Sequence, residues 1–126
     1  MVGAEGIVGV SAWLGEDAVA NEVVQIPGAA CSMDADEFNR QIDQSQALYY
    51  SVQACTIALL TRVIRSAGCY AHHTVEQRAA SWLIMADARS LKKELPMPQE
   101  LFSLVLGIRR QTAARVLNEF EDRRLI

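Results

Sequence analysis

Two regimes of apolar patterning divide this chain near residue 34. Ahead of it the apolar residues come in short bursts, Ile7 to Val10 and Glu22 to Met33, set among Gly, Val and Ala with Pro27 and Gly28 as a turn. These bursts predict short β-strands. Beyond residue 34 the spacing becomes helical. Asp34 takes the N-cap position of a helix from Ala35 to about Gln44, with Glu37 three residues on in capping-box position. Ser45 to Ala67 predicts a long helix ended by Gly68. Leu48, Val52, Cys55, Ile57, Leu59, Leu60, Val63 and Ile64 leave its middle little polar face, so both sides need covering. One side is expected to pack on the strands. The other is expected to meet a second copy through Leu48, Val52, Cys55, Leu59 and Val63. Thr74 to Leu91 predicts a further helix, with Thr74 and Gln77 as a capping box and Ala79, Trp82, Leu83 and Ala86 as its inner stripe. Pro96 and Pro98 mark the next boundary.

The last quarter, from Gln99 to Asn118, reads as two short helices broken once at Gly107, the second running to about Arg124. Phe102 and Leu106 lie one turn apart, Ile108 closes the turn, and Ala113, Val116 and Leu117 continue at helical spacing, forming one shared inner face. Ser103 is small where a second helix crosses closely, and Gly107 supplies the backbone freedom of a tight interhelical turn. Arg109, Arg110, Gln111, Thr112 and Arg115 then fall on the outer face of the second helix, at and near its N-terminal end. This is the layout of a helix-turn-helix, whose second helix enters the major groove by that end. Arginine matches guanine O6 and N7, glutamine pairs with adenine, and threonine meets a base edge or a phosphate. Arg110, Gln111 and Arg115 share a face and point to bases; Arg109 points to phosphate. Gln99, opening the first helix, joins the candidate DNA contacts. The plainer reading of the same pattern is a two-helix hairpin with solvated arginines.

Composition adjusts this picture without reversing it. With 126 residues, 51% of them hydrophobic, the chain has enough core material to fold. The net charge of −3 hides an asymmetry: residues 1–46 hold eight acids against one base, and residues 47–126 hold eleven bases against seven acids. An acidic half beside a basic half suits a sensor joined to a DNA reader. Cys31, Cys55 and Cys69 are odd in number and unpaired in spacing, so neither a disulfide framework nor a zinc site is expected, and a reducing cytoplasm is the simplest setting. The apolar run from Tyr49 to Ala67 is interrupted by Gln53, Thr61, Arg62 and Arg65. Its uncharged part falls short of the roughly 20 residues of a membrane span, so no membrane partner is expected. The N-terminus carries no basic region of signal-peptide type.

Other candidate chemistry is sparse. His72 and His73 are adjacent and do not face one ligand, and Trp13 and Trp82 suit a core. Asp34, Asp36 and Glu37 suit capping and solvation. No nucleophile is paired with a general base and no glycine-rich phosphate loop precedes a helix, so no enzymatic activity, cofactor or metal is expected.

Thr74-Val-Glu-Gln-Arg-Ala-Ala-Ser-Trp-Leu83, the stretch from Gly107 to Ile126, Gly6-Ile-Val-Gly9 and Val23-Val-Gln-Ile-Pro-Gly28 occur in an order that resembles the bacterial Crp/Fnr family of transcription regulators. The resemblance covers most of the chain. It implies a cyclic-nucleotide-binding-type β-roll, a dimerising helix and a winged helix, with bases read by Arg110, Gln111 and Arg115 and with Arg109 and Thr112 on the backbone side. It also implies double-stranded DNA and a homodimeric copy as partners, with RNA polymerase as a further candidate.

Three departures restrict what carries over. The earlier strands of the roll are missing, which reads as a fragment or a truncated product. Gly15-Glu16 is followed by Asp17, Ala18, Val19 and Ala20, with no arginine to neutralise a cyclic phosphate. Apolar Val63 and Ile64 stand where nucleotide-sensing members carry hydroxyls. A cyclic-nucleotide response is therefore not expected, and the lack of a four-cysteine set argues against an iron-sulfur sensor. The chain also stops before the family's β-hairpin wing, a loss that weakens affinity more than sequence preference.

The expected fold is thus α+β, mostly α. A β-roll remnant occupies residues 1–44, a dimerisation helix 45–68, and a helix-turn-helix without its wing 72–126. The competing class is a non-enzymatic helical dimerisation or interaction module that has lost DNA binding, and a small-molecule enzyme or sensor ranks last.

Overall fold

Side-chain caps open three of the helices of this chain, in a computed structural model that describes residues 1–18, 21–90 and 94–126. Among the described residues there are six helices: α1 (Val10–Trp13), α2 (Ala35–Gln44), α3 (Gln46–His72), α4 (Val75–Asp87), α5 (Gln99–Leu106) and α6 (Arg110–Asp122). The fold is mostly α, as expected, but no strand forms among the described residues, so the β-roll remnant is absent there. The bursts at Ile7 to Val10 and Glu22 to Met33 fail as strands for a physical reason. A strand is stable only when its backbone groups pair with a neighbour, and glycine interrupts both bursts and proline the second. Gly9 takes the left-handed region (φ 77°) and opens the single turn of α1, its N–H donating 3.0 Å to the Glu22 carboxylate.

The chain divides into two units, one of residues 2–67 and one built on residues 68–126. In the first, the Asp34 side chain accepts from the backbone N–H of Asp36 and, more distantly, of Glu37, as an N-cap should. Glu37 turns along α2 instead of back to Asp34, where it pairs with Arg40 and accepts from the Gln41 amide at 2.7 Å. Ser45 caps α3, accepting from Leu48 N–H at 3.3 Å. Ile42 and Val52 are the buried apolar residues among the described residues of this unit, and Trp13 meets Tyr49 edge-on at 6.2 Å between centroids. Val2, Gly6 and Ile7 line a cleft with Ala54, Cys55, Ala58 and Leu59, and Glu5 beside them pairs with Arg62 at 3.7 Å.

That arrangement covers one face of α3 and leaves another open. Of the residues expected to meet a second copy, Val52 is buried, Leu48, Cys55 and Leu59 are half-buried, and Val63 is exposed. The open stripe is Tyr50, Ile57, Leu60 and Ile64, each more than half exposed, with Val63 on its flank. By length and composition alone α3 is long and apolar enough to cross a membrane, even with Arg62 and Arg65 in its second half.

The sequence places the end of α3 at Gly68, whereas the helix runs on through it to His72. Glycine weakens a helix interior by about 1 kcal/mol relative to alanine, which does not stop a helix already about six turns long from continuing. The stop comes at His73 and Thr74, where the next helix begins.

In the second unit the expected capping box opens α4. The Thr74 hydroxyl accepts from Gln77 N–H at 3.3 Å, and the Gln77 side-chain oxygen accepts from Thr74 N–H at 3.0 Å. The helix ends at Asp87; of the residues expected beyond it, Leu91 lies outside the described ones. Ala79, Trp82 and Ala86 of α4, Phe102, Ser103 and Leu106 of α5, and Ala113, Val116 and Phe120 of α6 form one buried core. Trp82 and Phe102 pack edge to face at 5.6 Å between centroids, the arrangement ring quadrupoles favour. Alanines at 79, 86 and 113, with no exposed surface, let the three helices approach closely.

Candidate nucleic-acid interface

The turn between α5 and α6 is a complete Schellman motif. Gly107 adopts φ 63° and ψ 40°, its N–H donates to Leu104 O at 3.1 Å, and Ile108 N–H reaches back to Ser103 O at 3.0 Å. A side chain at 107 would be strained in this left-handed conformation, which explains the glycine. Ser103 is buried, as its small size led one to expect, and its hydroxyl donates to Glu100 O at 2.8 Å.

Two side chains outside the two-helix pair finish the end of α5. The Tyr70 hydroxyl, from the last turn of α3, donates to Val105 O at 2.8 Å. Arg78 of α4 stacks over the Tyr70 ring, 4.5 Å from its centroid, and donates from Nη1 to Leu106 O at 3.4 Å. Terminal carbonyls with no partner inside their own helix are thereby satisfied, and a cation sits at the negative end of the α5 dipole. Neither residue was singled out as functional in the sequence. The sequence around Arg78 gives no sign of this role, because its carbonyl partner is 28 residues away.

Arg109 is the N-cap of α6, with its backbone carbonyl accepting from Thr112 and Ala113 N–H and its side chain exposed. Arg110, Gln111 and Arg115 are exposed on α6, Thr112 is half-buried, and Gln99 is exposed at the first position of α5. Arg110, Gln111 and Arg115 thus occur together on the solvent side of the leading turns of α6, while Ala113, Val116 and Phe120 point to the core.

The two arginines that share this face with Gln111 are not free. Arg110 pairs with Glu100 in the first turn of α5. Arg115 donates from Nη2 to Glu76 Oε1 at 2.7 Å and from Nη1 to Glu119 Oε2 at 3.4 Å. The hydrogen bond from Arg115, aided by the backbone N–H of Glu76 itself and by Thr74, draws the Glu76 carboxyl down to about 2 from its ordinary 4.5. The same hydrogen bond raises the Arg115 pKa. Both groups are therefore charged at any pH suited to nucleic-acid binding. Glu76, Glu100 and Glu119 went unnoticed in the sequence. Only Glu119, four residues after Arg115, carried a local signal, since the other two reach their arginines across helices.

Chemically, the face offers planar guanidinium forks and one amide at the N-terminal end of a helix, the donor set that matches purine edges in the major groove. A glycine-hinged helix pair with such a face defines a helix-turn-helix DNA-binding domain. Comparison with protein families bears this out: residues 77–126 match the family model described as the Crp-like helix-turn-helix domain. That segment is similar to the Crp-like helix-turn-helix domain, which supports the resemblance to Crp/Fnr-type regulators, a family of DNA-binding proteins. Comparisons with curated proteins and with solved structures return no match.

Proposed function

We propose that the chain is a sequence-specific, dimeric DNA-binding transcriptional regulator of Crp/Fnr type, acting in a bacterial cytoplasm. The observation that carries this reading is the exposure of Arg110, Gln111 and Arg115 on the leading turns of α6, inside the segment that matches the family. In this reading those three residues contact bases, Arg109 and Thr112 contact the phosphate backbone, Gln99 is a further DNA contact, and RNA polymerase is the further partner. A cyclic nucleotide has no part in it, because Gly15-Glu16 lacks a following arginine and hydroxyl pair.

Dimerisation is assigned to the open stripe of α3. Tyr50, Ile57 and Ile64 recur every seven residues, with Gln53 and Leu60 three residues after the first two, which is a heptad seam. Isoleucine at a with leucine at d favours a parallel two-stranded coiled coil. Leu48, Val52, Cys55 and Leu59 fall on the opposite face of this register, so of the residues first assigned to the pairing only Val63 stays beside the seam. A parallel pair sets two reading helices on half-sites roughly 34–36 Å apart, one turn of DNA.

The test is a gel shift with a pool of duplexes carrying a randomised core, repeated across a salt series. Affinity is expected to fall steeply with salt, by about 0.9 logarithmic units per contacted phosphate for each tenfold rise. Absent or salt-independent binding sinks the reading. Sedimentation is expected to find a dimer that Leu60→Asp converts to monomer while Leu59→Asp on the covered face does not. A stripe that instead drives partition into lipid vesicles would assign α3 to a bilayer. The exposed stripe also favours a second reading, a helical dimerisation module without DNA binding, and a dimer that gives no gel shift would establish it.

A further inference from the structure

Arg115 is held by carboxylates from two directions. Glu119 reaches it from one turn along the same helix, and Glu76 reaches it from α4 at 2.7 Å. Glu76 is itself poorly placed to move. It lies in the first turn of α4, whose backbone is fixed by the Thr74–Gln77 capping box, and its side chain is only one-third exposed. A carboxylate at the N-terminal end of a helix is also favoured by the helix dipole. By contrast, the Arg110–Glu100 pair joins two side chains that are each more than half exposed.

We propose that Glu76 is the positioning residue for Arg115, fixing the plane of its guanidinium ahead of DNA binding and thereby setting base discrimination at the position Arg115 contacts. This rests on the reading of Arg115 as a base contact. The donor count permits it. A guanidinium carries five N–H donors, Glu76 and Glu119 engage two, and the three that remain exceed the two a guanine requires. An unbraced arginine loses the freedom of a long side chain when it docks, whereas a braced one has already lost it, and a preformed geometry penalises the wrong base more sharply. Glu76 also brings a negative charge close to the DNA-facing surface. Its removal is expected to strengthen sequence-independent binding while weakening discrimination. A carboxylate that merely competed with phosphate for Arg115 would have the opposite effect on discrimination.

The experiment uses the full chain as wild type, Glu76→Gln, Arg115→Ala and the double variant. Duplexes are selected by the wild type from a pool with a randomised core. Affinities are then measured for the enriched duplex and for a shuffled duplex of the same composition. Glu76→Gln is expected to lower the enriched-over-shuffled ratio about five- to tenfold, at the base positions that Arg115→Ala also blurs. The double variant is expected to match Arg115→Ala alone. A Glu76→Gln ratio within twofold of wild type, beside a clear loss in Arg115→Ala, overturns the positioning role and leaves the DNA-reading assignment intact. So does a Glu76→Gln loss that persists undiminished in the Arg115→Ala background, since a merely structural effect would survive there. If the wild type enriches no motif, or if Arg115→Ala keeps the full ratio, the DNA-reading assignment itself fails and the inference goes with it.

Discussion

Phe102→Ala is expected to cost the C-terminal unit about 3–5 kcal/mol, the usual loss when a buried aromatic ring is truncated and its cavity only partly refills. Phe102 has no exposed surface, and its ring packs edge to face on Trp82. It sits at the centre of the α5 layer, with α4 on one side through Trp82 and the inner face of α6 contributing Ala113, Val116 and Phe120 to the same core. Domains are stable by only about 5–15 kcal/mol in total, so this change removes much of the margin that holds α5 against its neighbours. For a unit of this size the corresponding fall in melting temperature is roughly 12 °C or more, read by far-ultraviolet circular dichroism. Leu104→Ala serves as the control. Leu104 is 70% exposed in the last turn of α5, and its truncation is expected to stay within about 0.5 kcal/mol. A Phe102→Ala protein melting within two degrees of wild type would mean that the three-helix core is not what stabilises this unit.

Arg110→Ala and Arg115→Ala should each weaken binding to a selected duplex by about 1–3 kcal/mol, or roughly 5- to 150-fold, and should relax base choice at one position apiece. Arg110 already holds Glu100, but an exposed ion pair of this kind contributes little, so its exchange for a base contact sets no large barrier, while Arg115 has donors to spare beyond those its carboxylates take. Arg109→Ala is expected to behave differently. Its side chain projects from the N-cap, ahead of the first turn of α6, and loss of a phosphate contact weakens all sequences alike while lowering the salt slope by about one. Competitive binding at fixed salt separates the two patterns. Unchanged base preference in both Arg110→Ala and Arg115→Ala would remove α6 as the reading helix.

The C-terminal unit was largely legible in the sequence because its signals are local. Gly107 at the hinge, the inner faces through Phe102, Leu106, Ala113 and Val116, and the Thr74–Gln77 capping box all depend on residues a few positions apart, and each forms as read. Phe120 was overlooked as a core residue only because the periodic stripe was followed no further than Leu117. Residues 1–33 were misread because valine and isoleucine favour strands only where a neighbouring strand exists to pair with, and none does among the described residues. The face of α3 presented to solvent could not be read either. With apolar residues all round its middle, periodicity does not say which side the chain's own N-terminal segment covers, and Val2, Gly6 and Ile7 take the side of Cys55 and Leu59. Glu100, facing Arg110, and Glu76, facing Arg115, come from 10 and 39 residues away and leave no periodic trace.

The tyrosine and arginine that close the end of α5 bear on where this reader can be cut free. The family match begins at Gln77, which retains Arg78 but discards Tyr70. A piece starting there would leave the Val105 carbonyl without the hydroxyl that now serves it and would unseat the guanidinium from its ring. The smallest portable reader therefore begins upstream of Tyr70, and the final turn of the long helix is as much a part of the DNA-binding head as of the rod that precedes it.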